Sequence, residues 1–120
     1  MMRMPALAAV LVSMMPALAA AAPERRCGWL QNPTPANWWL EDRDGRWVLS
    51  VQGGPPVRGM DGVPDMTTRG WVATNGSYGY GCACFTLETE AASRRVLRVI
   101  AAEPLPLQRC RADRALPAPR

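Results

Sequence analysis

Apolar and polar residues alternate most clearly in two places along the chain. In residues 46–52, Trp47, Leu49 and Val51 alternate with Arg46, Val48, Ser50 and Gln52. A period of two with one apolar face predicts a half-buried strand. Residues 38–42 precede it, and Arg43-Asp44-Gly45 lies between. Asp-Gly suits the positive φ of a tight turn, so the two arms are predicted as a β-hairpin. The second alternation closes the segment 78–90, where Phe85, Leu87 and Thr89 oppose Thr86, Glu88 and Glu90. A short strand is expected at 71–74, with Asn75-Gly76 as the turn after it. Residues 94–101 form another, with Val96 and Arg98 assigned to one face and Leu97, Val99 and Ala101 to the other. Pro33 and Pro35 keep residues 26–37 out of a helix. Pro104 and Pro106 are expected to end regular structure, and residues 115–120 to fray. After the N-terminal segment no stretch holds a 3.6-residue period. The expectation is an all-β domain, a small antiparallel barrel or sandwich of about five strands.

Two stretches fall outside this pattern. Residues 53–70 are rich in glycine, proline and charge, with Val57, Met60, Val63 and Met66 scattered among them. They read as a long loop, open to mobility and to function. At the N-terminus, Arg3 precedes an apolar run over residues 4–22 that ends in small residues, with Ala17-Leu18-Ala19 as a small-x-small site. That order predicts a secretory signal peptide, residues 1–19, cleaved somewhere between 19 and 22. A spanning helix needs about 20 strongly apolar residues. This run is alanine-rich and contains Pro5 and Pro16, so no stable membrane insertion is expected after cleavage. Nor does Cys27 follow a lipobox, since Glu24, Arg25 and Arg26 precede it. One small β domain, residues 27–117, then remains in the periplasm or outside the cell. A domain of roughly 100 residues buries only about 65% of its unfolded surface, so its core is thin and covalent staples are useful.

The four cysteines, Cys27, Cys82, Cys84 and Cys110, supply such staples. An even number in a short exported chain reads as a disulfide framework. In a strand, Cys82 and Cys84 point to the same face with Cβ atoms about 6–7 Å apart, against the roughly 3.8 Å of a disulfide. Each should therefore reach a distant partner. The uncrossed set, Cys27–Cys82 with Cys84–Cys110, is preferred, and the crossed set, Cys27–Cys84 with Cys82–Cys110, is the alternative. Metal binding is not expected, because four-thiolate zinc sites use paired C-x₂₋₄-C spacings. Gly79 and Gly81 leave one face of the same segment bare, which suits a tryptophan packing over them.

Charge and chemistry narrow the picture further. Every one of the 14 basic residues is arginine, the net charge is +4, and there is no histidine. The arginines form no block longer than the pairs Arg25-Arg26 and Arg94-Arg95, so no nucleic-acid stripe is present. Without histidine, no Ser-His or Cys-His pair exists. Two catalytic alternatives remain in view. One is thiol–disulfide chemistry through Cys82 and Cys84; the other is acid–base hydrolysis through Asp42 and Asp44. Against the second, D-R-D-G is also what a hairpin turn wants. Five tryptophans in so short a chain point more readily to a non-catalytic binding module. Trp38 and Trp39 are adjacent and must face opposite ways, so one is expected in the core and the other free to stack on a sugar or a protein surface. Candidate binding residues are Trp38, Trp39, Asn37, Asn75, Tyr78 and Tyr80. The expected partner is an envelope protein or glycan; no cofactor and no metal is expected.

The segments CGWLQNPTPANWWLEDRDGRWVLSVQGG, TNGSYGYGCAC and LPLQRCRAD together resemble the DUF4087 family, small exported bacterial proteins of unknown function. The resemblance runs from Cys27 to about Pro117. It implies export and brings no activity and no catalytic residue. The stretch between Gly54 and Trp71 is shorter than the family pattern suggests, which marks that loop as variable.

Overall fold

A computed structural model describes residues 1–13 and 22–119. Residues 1–13 are exposed and without regular structure; the expected cleavage motif, Ala17-Leu18-Ala19, lies outside the described residues. No described helix is long and apolar enough to cross a membrane. The domain is mainly β, as expected, with six strands in one antiparallel sheet: β1 (Glu24–Thr34), β2 (Asn37–Asp42), β3 (Gly45–Ser50), β4 (Trp71–Asn75), β5 (Tyr78–Glu90) and β6 (Arg95–Leu105). A short helix, α1 (Leu107–Arg111), follows.

β5 organises the sheet. Along one edge it pairs with β1, from Asn32 opposite Gly79 to Glu24 opposite Leu87. Its other edge serves two strands in turn. β4 pairs with its first residues, up to Trp71 opposite Gly81, and β6 with the rest, from Cys82 opposite Leu105 to Glu90 opposite Arg95. β2 and β3 extend the sheet beyond β1 as the predicted hairpin, with Leu40 opposite Trp47 and Asp42 opposite Gly45. Gly45 takes φ +128°, the left-handed geometry that the Asp-Gly pair promised.

The alternation assigned to β6 is corrected. Its buried residues are Val96 and Val99, and they face Thr89 and Leu87, while Ala102 faces Phe85. The spacing is three, not two, because two register shifts leave Leu97 and Ile100 as extra residues on β6. Each is a β-bulge, which bends its strand and increases the twist. β6 thereby curls toward β3, and the two strands approach each other. β6 also continues through Pro104 to Leu105. Proline is tolerated there because no strand pairs with the outer edge of β6 beside Pro104.

Strand pairing does not close the sheet into a barrel. Residues 53–70, expected as an open loop, fill the gap instead. The Val57 N–H donates to the Leu49 carbonyl of β3 at 3.0 Å, and the Val99 N–H of β6 donates to the Arg58 carbonyl at 2.8 Å. Gly59 permits this crossing: it sits at φ +91°, and a Cβ there would collide with the Val99 carbonyl. Met66 is only 5% exposed, and Val57, Met60 and Val63 pack beside it over the core of Leu30, Leu40, Trp47, Leu49, Phe85 and Leu87. The scattered apolar residues of the segment are thus the second layer of the core, each contributing about 1.5–3 kcal/mol if fully buried. On the same face Trp71 covers Gly81, where a Cβ would lie 2.9 Å from the indole. Val51, expected on the buried face, is 54% exposed, because β3 ends at Ser50 and the chain turns away.

Candidate functional site

The opposite, outer face of β5 carries the cysteines. β1 places Cys27 directly opposite Cys84, with Cα atoms 4.0 Å apart, and the two are bonded. Cys82 stands opposite Trp29 on β1 and Leu105 on β6. The chain leaves β6 at Leu105, and α1 swings Cys110 back onto Cys82 with a Cα separation of 5.7 Å. The pairing is therefore the crossed set, Cys27–Cys84 with Cys82–Cys110, and the preferred uncrossed set is corrected. The reason is register: only one of the two β5 cysteines can face Cys27, and the β1–β5 ladder selects Cys84. No cysteine is free, so the C-x-C residues are held by distant partners rather than by each other. Two such bonds indicate a non-reducing compartment.

Around these bonds a second small cluster forms from Trp29, Leu105 and the cysteines, flanked by Tyr80, Leu107 and Leu116. Contrary to the expected fraying of residues 115–120, Leu116 and Pro117 are docked. Leu116 packs on the cluster, and the Trp29 indole N–H donates to the Pro117 carbonyl at 3.0 Å.

The carboxylates weighed as an acid–base pair have other work. Asp42 is 4% exposed. Its Oδ1 accepts from the backbone N–H groups of Asp44 (2.8 Å) and Gly45 (3.1 Å) and from the Trp47 indole N–H (3.0 Å). Its Oδ2 accepts from Arg26 Nη1 at 2.9 Å, as does Asp44 Oδ2. Glu24 accepts from the same guanidinium at 2.6 and 3.0 Å, and Arg26 lies 4.0 Å above the Trp47 ring. Partial burial opposes the Arg26 charge, but hydrogen bonds to Asp42, Asp44 and Glu24 outweigh it and hold its pKa above the usual arginine value. The cluster fixes the hairpin turn to the start of β1, and Asp42 accepts four hydrogen bonds within it.

The six candidate binding residues do not converge on one site. Trp38 packs on the inner core, its ring 6.2 Å from that of Trp71. Asn37 ties the β1–β2 turn, donating to Thr34 Oγ1 at 2.6 Å and accepting from the Gln52 N–H at 2.8 Å. Asn75 donates to the Pro33 carbonyl at 3.3 Å. Trp39 faces outward as the adjacency of the two indoles requires, with Arg46 stacked 4.3 Å over its ring and its N–H on Glu41. Tyr80, and Tyr78 two residues before it, share that outer face. Tyr80 meets Trp29 edge-on at 5.5 Å. The buried Gln31 separates Trp39 from Tyr80 in the register.

A different surface gathers the unsatisfied chemistry. Four large apolar side chains of the domain are exposed, Val48 (41%), Val51 (54%), Leu97 (39%) and Ile100 (43%). All belong to the two strands that border the unclosed seam, or to the first residue beyond one of them. Where the loop crosses the seam, a groove of about 430 Å³ opens, walled by Pro55, Pro56 and Val57, by Val48 and Leu97, and by Arg58, Arg94 and Arg95. Sequence reasoning missed this site because it treated β6 as a regular strand. The one signal available was the triplet spacing of Val96, Val99 and Ala102, which fits a bulged strand better than a period of two.

The architecture defines a small, disulfide-stapled, open β-barrel-like domain with a groove at its seam. The family model described as protein of unknown function DUF4087 matches residues 21–117, and the chain belongs to that family. No curated protein and no solved structure gives a significant match.

Proposed function

We propose that the protein is an exported, non-catalytic binding module of the periplasm or the extracellular space, released from its signal peptide between residues 19 and 22. It engages a protein of the cell envelope at the seam between β3 and β6. The observation that carries this reading is the placement of the exposed apolar side chains. Single exposed apolar residues are ordinary, but Val48 and Leu97 line one groove, and Val51 and Ile100 lie on, or one residue beyond, the same two strands. Contiguous apolar surface rimmed by polar groups is the usual mark of an interaction site. Export is supported by the apolar N-terminal run with its small-x-small site and by the two disulfides. A catalytic reading through Asp42 and Asp44 finds no support in their geometry, since both are tied to Arg26.

The test is position-specific photo-crosslinking in the producing cell, with the reactive amino acid at position 97 and, as control, at position 111 on α1. A crosslinked species from 97 that is absent from 111, and that fades when Ile100→Thr is added, supports the reading. Equal products from both positions, or none from 97, overturn it. Intact mass of the recovered protein checks export: it should begin between residues 20 and 23 and carry both disulfides.

A further inference from the structure

We infer that the seam groove takes an extended acidic peptide segment of the partner protein, with Arg58, Arg94 and Arg95 pairing to its carboxylates and Val48 and Leu97 receiving an aliphatic side chain between them. This deepens the binding reading above and rests on it.

Charge carries the assignment. Arg25, Arg26, Arg46 and Arg98 each have a carboxylate within 4 Å. None of the three arginines that wall the groove forms an ion pair with a described residue, and all three are exposed. The acid nearest by register, Glu90 opposite Arg95, accepts from Ser93 Oγ at 2.9 Å instead. Three like charges on one concave surface focus a positive potential, and guanidinium forks match carboxylates in two-point geometry. Arg94 adds a second indication. It sits at φ +56°, a left-handed conformation in which glycine or asparagine would be at ease. The turn nonetheless carries an arginine there, at the mouth of the groove.

The backbone argues for side-chain recognition rather than strand addition. Leu97 and Ile100 interrupt the ladder of β6 as bulges, and the Val99 N–H already donates to Arg58. An added strand would find no continuous row of donors. What the bulges do present is Leu97, turned outward beside Val48 across the groove. The groove thus offers an apolar patch beside a basic rim, the complement of a segment that alternates acidic and aliphatic residues.

The experiment uses the oxidised full chain and two fluorescein-labelled hexapeptides, one alternating glutamate with leucine and its counterpart alternating glutamine with leucine. The acidic peptide should bind, with a salt-dependent affinity, and the glutamine peptide about tenfold more weakly, as three exposed ion pairs predict. The triple variant Arg58→Gln, Arg94→Gln, Arg95→Gln should lose the same factor while its far-UV spectrum and thermal midpoint stay in place. Because Arg94→Gln alters a strained turn, the double variant without it serves as a second reading and should lose at least half of the effect in logarithmic terms. Amide shifts in the two-dimensional NMR spectrum should fall on Val48, Val57 and Leu97. Equal binding of both peptides, undiminished binding by the variants, or shifts elsewhere overturn the proposal. So does displacement by millimolar inorganic phosphate or by heparin at equal charge, which would make the groove a general anion site. If the crosslink from position 97 persists while the acidic peptide fails, the binding module stands and the acidic assignment falls.

Discussion

The two faces of β5 are held in different ways. Its inner face presents Ala83, Phe85 and Leu87, all at most 1% exposed, to a core roofed by the loop of Met66. Its outer face presents Tyr80, Cys82 and Cys84 to a smaller cluster whose cover is one short helix and a tail. Where two layers of side chains exist, packing alone suffices. Where only a tail of a dozen residues is available, the face is completed covalently. The same strand therefore shows why a small domain mixes both devices: the surface left after one core is built is too little to form another.

Each face can be broken separately. The largest effect is expected from Cys27→Ala with Cys84→Ala, which releases a loop of 57 residues in sequence. It should cost about 4 kcal/mol as an upper figure, against a typical total of roughly 5–15 kcal/mol. Urea denaturation monitored by tryptophan fluorescence measures it. An effect under about 1 kcal/mol would show that the outer face is held by packing after all. On the inner face, Met66→Ala should cost about 2–3 kcal/mol. Calorimetry would record it, and an unchanged midpoint would mean that the loop is not a core layer. Asp42→Asn keeps one acceptor for the turn but removes a carboxylate from Arg26, which retains Glu24 and Asp44. About 2 kcal/mol is expected, with hydrogen exchange faster at Gly45 and Trp47. Smallest is Ile100→Thr, within about 0.5 kcal/mol on stability because the bulged side chain is 43% exposed. Its consequence should appear only in crosslinking at the seam. A large loss of stability there would make the exposed apolar residues structural and remove the contrast between faces.

The sequence made part of this legible. The β5 boundaries, the hairpin turn at Asp44-Gly45, the cover over Gly81 and the involvement of all four cysteines in distant bonds follow from local rules of pattern and turn chemistry. Disulfide partners did not follow, because they depend on the register between β1 and β5, which no local rule sets. The curl of β6 was hidden for a related reason: two bulges convert a strand period into a spacing of three, and a pattern search tuned to two misreads Val99. Met66 was read as loop since irregular backbone carries no period at all, even when its side chains are core. The candidate site lies at the junction of those last two failures. Of the six residues nominated for binding, the polar pair Asn37 and Asn75 proved to stitch turns, and Trp38 to fill the core.

The bonding pattern has a mechanical corollary. Cys27 joins Cys84, Cys82 joins Cys110, and only Ala83 separates the two middle sulfurs along the chain. Tension applied between Cys27 and Cys110 runs through that three-residue shunt and bypasses the sheet hydrogen bonds formed between those two residues. Stretched in an optical trap, the oxidised protein should behave as a nearly inextensible link, lengthening in steps only after a reductant is added.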